Sequence, residues 1–591
     1  MTNRITLEDA FKDFTLDQDK IMPPDETVRR FREKLKKIDL DILEKTERID
    51  NGRLDIPVYF SLCGKDAAAI IGTKKQMGKG GTPHQAEASA VMELAERFSF
   101  FSFANNPKNF ITTTFKAIQD PALPFEAIAR SVHDESPDLE ITREIFENLP
   151  MKWTRAYNLT QDEIVWVPFD WFFAINEFNG PSAGNCKEEA ICQGICEIVE
   201  RHVSSLISQQ RLSIPAIRPE SATDPLVIEM LAKYKSAGIH VHLSDFTLDT
   251  GIPTVGVLAY DPSTFPVRSE IVWTAGTTPN PQKALSRALT ETAQLAGDFN
   301  TGANYVASGL PKFRDMAETA FIKQAPGEIN ITDLPDISDP NIKVEIQNCV
   351  AALKKTGFDI LLINTMHPLL GIPAFYTIIP GAHFRERAVG TSVGMFSAKL
   401  IAENNPPDRA YARLIEIDGI LPDKYYVNFY MGTCLLNMGR NQEAIRHLEK
   451  ALALNPPEQD IPSICSYMGV GLKELGVYRQ AIEVLKQGEA HDKERTDIYN
   501  LMGFCHFKLR EHEKAIENFA KAIDLNPGSA IDYANIGSNY REMGDAEKAI
   551  TFYEIALSID PSIDFARESL ERLKVACRQP PEGKTSGLTE K

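Results

Sequence analysis

Residues 185–201 read NCKEEAICQGICEIVER, and this stretch carries the pattern that decides the fold of the N-terminal part of the chain. Two further stretches repeat its chemistry, since residues 89–97 read SAVMELAER and residues 287–294 read RALTETAQ. Each stretch predicts a helix with glutamates on one face and an arginine close to them. Carboxylates bind hard cations such as Mg²⁺, and arginines bind phosphate oxygens. The three stretches together indicate a polyphosphate held through magnesium.

The polar residues of the central stretch share one helix face. At about 100° per residue, Asn185, Glu189, Gln193, Glu197 and Glu200 fall within an arc of about 120°. A plain amphipathic surface helix shows the same pattern, and for one helix alone this alternative stays open. A solvated face normally mixes lysine with glutamate, whereas no lysine falls within the three arcs. Exposed glutamates that face each other repel by a few tenths of a kcal/mol per pair, and bound Mg²⁺ would remove that cost.

The composition limits the class of protein. A chain of 591 residues predicts several domains, and a net charge of -18 argues against a broad nucleic-acid-binding surface. Its nine cysteines form no CxxC pair, which favours reduced thiols in a cytoplasmic protein. The polar N-terminus predicts no signal peptide. The most apolar stretch, residues 360–382, is broken by prolines, so it predicts buried strands and no membrane span.

An internal repeat marks the C-terminal part of the chain. Its spacings are 37, 34 and 34 residues, with glycine at 432, 469, 503 and 537 and alanine at 444, 481, 515 and 549. A period of 34 residues with small residues where helices cross is the tetratricopeptide signature. The longer first spacing predicts an insertion around residues 457–460. A last helix, residues 565–576, would cap the array, and residues 578–591 are predicted to be disordered.

The N-terminal part predicts a mixture of strands and helices. Short β-branched or aromatic runs predict strands at residues 255–259, 271–275, 360–364 and 375–379. Thr82, Ser182 and Asn280 are predicted to cap the three glutamate-bearing helices, twice with proline at the first helical position. We place a catalytic domain at residues 1–410 and the repeats at residues 420–577.

In this order and at these spacings, the motifs resemble the YcaO family. The resemblance rests on Gly78-Lys79-Gly80, Ser89-x3-Glu93-x2-Glu96-Arg97, Ser182-x-Gly184-Asn185-x3-Glu189-x7-Glu197-x2-Glu200-Arg201 and Arg287-x3-Glu291-x2-Gln294. It covers roughly residues 15 to 400. It implies an α+β domain with an ATP site between helices and sheet and no Walker loop. A tetratricopeptide solenoid, all-α, would follow it.

The resemblance also implies the chemistry. YcaO enzymes use ATP to phosphorylate a peptide backbone amide oxygen while a nucleophile adds to the carbonyl carbon, and phosphate then leaves. A neighbouring Cys, Ser or Thr side chain gives an azoline, and external sulfide gives a thioamide. Positioning and charge neutralisation dominate such a phosphoryl transfer.

Roles at individual residues follow from the matching motifs. The implied Mg²⁺ ligands are Glu93, Glu96, Glu189, Glu197 and Glu200, and the implied nucleotide contacts are Lys20, Thr27, Ser89, Asn185, Arg201 and Arg287. Glu291 and Gln294 would hold Arg287 in place. For Lys20 and Thr27, a helix start without a ligand remains an alternative. One interpretation of Cys186, Cys192 and Cys196 is a metal site or a sulfur relay. The favoured interpretation is that these cysteines are small buried hydrophobic residues.

The C-terminus departs from that of azoline-forming members, which end in a proline-rich segment that reaches the active site. This chain ends in Gly587-Leu-Thr-Glu-Lys591. This difference argues against azoline formation and favours, by comparison, thioamide formation or an accessory role in ribosomal protein modification. The repeats are the candidate for recruiting a peptide, protein substrate or sulfur donor, and a homodimer is also expected. The alternative function is a non-catalytic scaffold with a nucleotide-binding pseudoenzyme domain.

Overall fold

The computed structural model describes residues 4–118, 121–302, 309–385 and 391–578. The chain divides into two compact units, Met1–Ser397 and Ala398–Lys591. The first unit mixes strands and helices, and the second is built of helices, as the sequence predicts.

The strands of the first unit are β1 (Leu43–Arg48), β2 (Val58–Cys63), β3 (Lys75–Lys79), β4 (Ile111–Thr113), β5 (Met151–Asn158), β6 (Glu163–Pro168), β7 (Pro181–Ala183), β8 (Ala216–Ile217), β9 (His240–Asp245), β10 (Thr254–Tyr260), β11 (Val272–Thr277), β12 (Glu328–Ile329), β13 (Leu361–Asn364) and β14 (Ala374–Ile378). Its helices are α1 (Pro24–Leu35), α2 (Lys65–Ile71), α3 (Pro83–Ala104), α4 (Phe125–Ser131), α5 (Leu139–Glu147), α6 (Phe169–Asn176), α7 (Lys187–Gln210), α8 (Pro225–Ser236), α9 (Pro281–Ala296), α10 (Ala320–Lys323) and α11 (Ile342–Lys355). The four strands expected from the sequence correspond to β10, β11, β13 and β14, with ends that differ by one or two residues.

The strands form three sheets. The first is β1-β2-β3, the second is β11-β10-β9-β8-β12, and the third is β4-β5-β13-β14-β7 with β6 paired to β5. All neighbours are antiparallel except β8 and β12. The second sheet is covered on both faces. Val255 and Val257 pack into one apolar cluster with α8 and α9, while Leu258 and Trp273 pack into another on the opposite face.

Each glutamate-bearing helix packs on a different sheet. Helix α3 lies on β2 and β3, α7 lies on β7 and β14, and α9 lies on β10 and β11. Two glycines permit this close approach, because a Cβ at Gly78 would collide with the backbone of α3 and a Cβ at Gly276 with the backbone of α9. Each of the three sheets therefore positions one of the helices α3, α7 and α9, and their polar faces lie close to one another.

Two of the three predicted helix caps are confirmed. The Thr82 side chain accepts a hydrogen bond from the backbone N–H of Gln85, and Asn280 accepts from those of Gln282 and Lys283. The prediction for Ser182 is wrong. Ser182 lies within β7 opposite Phe375, and α7 begins later, at Lys187, with the Cys186 sulfur accepting from the N–H of Glu189.

Helices of the second unit pair in succession. They are α13 (Pro407–Ile420), α14 (Tyr425–Asn437), α15 (Asn441–Ala453), α16 (Ile461–Glu474), α17 (Tyr478–His491), α18 (Thr496–Lys508), α19 (His512–Leu525), α20 (Ala530–Met543), α21 (Ala546–Ile559) and α22 (Asp564–Arg578), and α12 (Val393–Asn404) contains the junction of the two units. Pairs α14–α15, α16–α17, α18–α19 and α20–α21 are the four repeats.

Small residues sit where the paired helices cross. A Cβ at Gly432 would collide with Leu448, and one at Gly503 would collide with the ring of Phe519. The three extra residues of the first spacing coincide with a short 3-10 turn at Glu458–Asp460. Apart from Arg578, the tail predicted at residues 578–591 lies outside the described residues. Within the described ranges, no helix has the length and apolar character needed to cross a membrane.

Candidate functional site

One cavity of about 330 Å³ in the first unit is lined by residues from α3, α7, α9 and the N-terminal segment. Of the residues expected at the site, all but Glu200 line it: Lys20, Thr27, Ser89, Glu93, Glu96, Asn185, Glu189, Glu197, Arg201, Arg287, Glu291 and Gln294. Glu200 is 1% exposed and lies against the same arginines. The stretches that are far apart in the sequence therefore meet at a single site.

The N-terminal segment reaches this cavity through Glu189. One Glu189 oxygen accepts a hydrogen bond from the backbone N–H of Ile21 (2.7 Å), and the other accepts from the backbone N–H (2.9 Å) and side-chain amide (3.0 Å) of Asn185. These bonds fix the position of the neighbouring Lys20. Thr27 is buried near the start of α1 and its hydroxyl donates to the carbonyl of Pro23.

Arginines neutralise the glutamates of α3 and α7. Arg97 lies 3.2 Å from a Glu93 oxygen and 3.5 Å from a Glu96 oxygen. On α7, Arg201 lies 3.8 Å from Glu197 and 3.4 Å from Glu200. On each helix, two of the carboxylates therefore share one guanidinium.

Arg287 of α9 joins this network across the helices. Its Nε donates to a Glu200 oxygen and one Nη donates to Gln193, both at 3.2 Å. The expected partners of Arg287 were Glu291 and Gln294. Glu291 attracts the Arg287 guanidinium through its charge, and it also accepts a hydrogen bond from the Nζ of Lys79, because β3 brings that lysine against α9.

Burial and charge act in opposite directions on these carboxyls. Burial raises the pKa of Glu96 well above its usual range, although Arg97 opposes the change. Burial also raises the pKa of Glu197, against the attraction of Arg201. For Glu291, burial would raise the pKa, but Lys79, Arg201 and Arg287 outweigh it and lower the pKa to about 2.

The donor set fits Mg²⁺ held jointly with phosphate. The Glu200 Oε1 atom is buried and accepts no hydrogen bond in the described structure; its 3.4 Å separation from Arg201 is an ion-pair distance only. Among the described residues, no three His, Cys, Asp or Glu side chains are grouped so as to hold a metal by themselves. Mg²⁺ commonly takes one or two carboxylates and completes its ligands with substrate phosphates and water.

Three further residues belong to the site and were absent from the expected set. Lys79, Arg97 and Gln193 line the cavity and contact its charged residues. Lys79 and Arg97 stand inside quoted motifs, so the charge of each could have identified it. Gln193 shares the face of Glu189 and Glu197, which is the available signal for it.

The cysteines of α7 are buried, as favoured from the sequence. Cys192 and Cys196 lie with Cys349 of α11, and hydrogen bonding among the three thiols together with burial raises the pKa of each well above the usual range. Burial raises the pKa of Cys186 to about 12. Such thiols stay protonated near neutral pH, which suits packing and capping rather than nucleophilic chemistry.

A family model described as an ATP- and Mg²⁺-binding YcaO cyclodehydratase matches residues 77–383. The chain belongs to the YcaO family. Tetratricopeptide models match residues 425–458 and 494–562. The YcaO match makes ATP and Mg²⁺ the cofactors of the N-terminal domain.

Relatives of this YcaO chain share its N-terminal part. An uncharacterized protein of Methanothermobacter thermautotrophicus is 27% identical over 380 residues, which are 61% of this chain and 93% of that protein. The ribosomal protein S12 methylthiotransferase accessory factor YcaO of Escherichia coli is 26% identical, over 60% of this chain and 64% of its own length. A heterocyclase solved in complex with substrate and cofactor is similar in fold, with a TM-score of 0.53 and 21% identity over 66% of this chain and 56% of that chain.

The Lys79–Glu291 pair predicts a measurable pH dependence of stability. Replacing Glu291 with Gln leaves Lys79, whose side chain is 14% exposed, without its carboxylate partner, so the free energy of unfolding should fall by about 3 kcal/mol near neutral pH. A carboxyl whose pKa is lowered in the folded state stabilises the fold at pH values above its usual pKa. It ceases to do so as the pH falls towards its folded-state pKa. The difference in the free energy of unfolding between wild type and Glu291→Gln, measured by urea unfolding, should therefore become smaller as the pH is lowered from about pH 5 to about pH 3.

Glu87→Gln is the matched control, because Glu87 pairs with the half-exposed Arg32. It should cost at most about 1 kcal/mol. Equal losses in the two variants, or a gap that stays constant with pH, would contradict the assignment of Glu291.

Proposed function

We propose that this chain uses ATP and Mg²⁺ to activate a backbone amide of a peptide or protein, leading to a thioamide or an azoline, or assisting ribosomal protein modification. The observation that carries the proposal is the convergence of three carboxylate- and arginine-bearing helices, one from each sheet, on one cavity. Membership of the YcaO family supports the same function.

The charge balance of the cavity favours a nucleotide that arrives with a metal. Among its described lining residues, five cations face five glutamates: Lys20, Lys79, Arg97, Arg201 and Arg287 against Glu93, Glu96, Glu189, Glu197 and Glu291. The triphosphate of ATP carries about four negative charges, and a cavity with no net charge leaves the cost of desolvating them uncompensated. Bound Mg²⁺ supplies the missing positive charge and polarises phosphate oxygens.

We assign Mg²⁺ binding to Glu93, Glu96, Glu197 and Glu200, and phosphate binding to Arg201 and Arg287. In the structure these groups bind one another. With these carboxylates bound to a metal, the guanidinium groups would be available to phosphate oxygens. The ion pairs thus hold the arginines ready until the ligand replaces the carboxylates as their partner.

Glu189 has a different role in this proposal. Both of its oxygens already accept hydrogen bonds, from the N-terminal segment and from Asn185. We infer that Glu189 keeps Lys20 and Asn185 beside the nucleotide, although the family motif places it among the metal ligands. Ser89 and Thr27 would add hydroxyl contacts to the nucleotide.

The proposed reaction balances without a redox partner. The amide oxygen takes the γ-phosphoryl group of ATP, and ADP leaves. A thiol or hydroxyl of the next residue, or external sulfide, adds to the carbonyl carbon and loses its proton, and phosphate departs with the former amide oxygen. In the azoline branch the amide nitrogen also loses its proton as the C=N bond forms, and in the thioamide branch the sulfur forms the C=S bond. The residues around the cavity neutralise the charge that collects on the transferring group.

The tetratricopeptide repeats are proposed to recruit a peptide or protein partner, since stacked repeats present an extended concave surface. A sulfur donor and a second copy of the chain are further candidate partners. If the N-terminal domain bound nucleotide without turnover, the chain would be a non-catalytic scaffold that acts by binding partners through its repeats.

Binding of ATP should depend on Mg²⁺ and on Glu200. Calorimetry with a non-hydrolysable ATP analogue should show binding only with Mg²⁺ present, and Glu200→Gln should weaken it at least ~10-fold. Glu188→Gln is the matched control, because Glu188 is a buried glutamate of the same helix that accepts a hydrogen bond from the backbone N–H of Glu8 and pairs with Lys187, whereas Glu200 pairs with Arg201 and Arg287. Absence of nucleotide binding in every condition, or equal losses in the two variants, would contradict the assignment.

Mass spectrometry should identify the modified amide. Peptides incubated with the protein, Mg-ATP and sulfide should gain about 16 Da for exchange of oxygen by sulfur, or lose about 18 Da for ring closure, with release of ADP and phosphate. ATP consumption that joins a carboxylate to an amine would instead place the chain among ligases. Glu188→Gln should retain turnover, and Glu200→Gln should lose it.

A further inference from the structure

The loop between α6 and β7, residues 177–180, reaches the charged side chains at the cavity of about 330 Å³, although none of its own residues lines that cavity. The side-chain oxygen of Asn179 accepts a hydrogen bond from the Nε of Arg201 at 3.1 Å. Arg201 lies 3.8 Å from Glu197 and 3.4 Å from Glu200, which are ion-pair distances only. Among the described residues, Asn179 is therefore the one hydrogen-bond acceptor of Arg201.

The residues on either side of Asn179 contact the same network through their backbone. The carbonyl oxygen of Phe178 accepts a hydrogen bond from an Nη of Arg97 at 3.0 Å, and the N–H of Gly180 donates to a Glu197 oxygen at 3.3 Å. The Arg97 guanidinium also lies 5.9 Å from the centre of the Phe178 ring. Three consecutive residues of one loop therefore hold groups of both α3 and α7.

Contacts with its surroundings fix the conformation of this loop. Glu177 adopts φ 49° and ψ -110°, a combination that residues other than glycine rarely show. The backbone N–H and the side-chain amide of Asn179 both donate to the carbonyl of Asn176, each at 2.9 Å. Gly180 lies so close to the next strand that a Cβ there would collide with the carbonyl oxygen of Thr377. Backbone strain of this kind persists only where the surrounding structure imposes it, and it is concentrated at functional sites.

A neutral acceptor suits an arginine that must bind phosphate. A carboxylate orients a guanidinium but also cancels its charge, whereas an amide or carbonyl oxygen orients it and leaves the charge intact. In the proposed function, carboxylates of α3 and α7 bind the metal and no longer neutralise the arginines. The bond to Asn179 does not depend on those carboxylates. Because that bond uses the Nε of Arg201, both Nη groups remain available to phosphate oxygens.

We propose that Asn179 is a positioning residue, which keeps Arg201 directed into the cavity when the carboxylate partners of that arginine are bound to the metal. The carbonyl of Phe178 serves Arg97 in the same way. The inference rests on the proposed function, because it takes Arg201 to bind phosphate. It assigns a function to a loop that lies outside the sequence motifs of the site.

A double-mutant cycle on binding of a non-hydrolysable ATP analogue with Mg²⁺ tests this role. In calorimetry with the full chain, Asn179→Ala should weaken binding about 10-fold, because Arg201 loses the acceptor that orients it. Lysine has no Nε–H donor, so in an Arg201→Lys background the same change should alter the affinity less than about 2-fold. An asparagine that only stabilises the loop would give the same loss in both backgrounds.

Asn109→Ala is the matched control for this cycle. The Asn109 side-chain amide also stabilises a loop, by donating to the carbonyl of Phe103 at 2.9 Å, and Asn109 lies outside the lining of the cavity. Its replacement should leave the affinity for the analogue unchanged.

Nuclear magnetic resonance of the arginine Nε–H groups tests the contact itself and does not require the variants to bind nucleotide. In protein that carries isotopically labelled arginine, the signal that Arg201→Lys removes belongs to Arg201. This N–H should exchange with water at least ~10-fold faster in Asn179→Ala than in wild type or Asn109→Ala. In wild type, its protection should remain after Mg²⁺ and the analogue are added, because Asn179 stays its acceptor.

Unchanged affinity of Asn179→Ala, equal losses in the two Arg201 backgrounds, or an Arg201 N–H that exchanges equally fast in wild type and Asn179→Ala would overturn the proposal. Loss of the protection when the analogue binds would overturn it as well. If wild type binds the analogue, any of these results rejects the positioning role alone. If wild type binds no analogue under any condition, the proposed function is wrong and the positioning role is rejected with it.

Discussion

Mutual neutralisation of buried carboxylates and guanidinium groups is the interaction on which the first unit depends. Glu200 is 1% exposed and contacts both Arg201 and Arg287, and these residues belong to two helices that pack on different sheets. A buried charge is tolerated only beside its partner, and loss of one partner costs about 3–5 kcal/mol. The network therefore fixes α7 and α9 relative to each other. It also keeps in one place charges that a fold built only for stability would replace with apolar groups.

Burial of these carboxylates costs free energy, which ligand binding can offset. Burial raises the pKa of Glu96 and of Glu197, so the ionised forms of both are disfavoured in the ligand-free protein. A bound divalent cation would favour the ionised forms, and in the proposed function phosphate oxygens would replace the carboxylates as partners of the arginines. Binding of the metal and binding of the nucleotide should consequently support each other.

Periodicity predicted the two kinds of domain and the repeats, and the resemblance to the YcaO family implied most of the residues that line the cavity. Each motif lies on one helix, so its face follows from 3.6 residues per turn. Contacts between segments were not predictable in this way. Lys79 reaches Glu291 from a strand, Arg287 binds Gln193 of another helix, and Ser182 belongs to a strand because Phe375 pairs with it.

Electron paramagnetic resonance of Mn²⁺, which occupies the same oxygen sites as Mg²⁺, tests the central claim most directly. In the proposed function, protein carboxylates and nucleotide phosphates form the metal site together. Since no three described ligand side chains are grouped to hold a metal by themselves, Mn²⁺ should bind weakly to the protein alone and tightly once a non-hydrolysable ATP analogue is added. Tight binding of Mn²⁺ without nucleotide, or nucleotide binding that leaves the Mn²⁺ signal unchanged, would contradict this account.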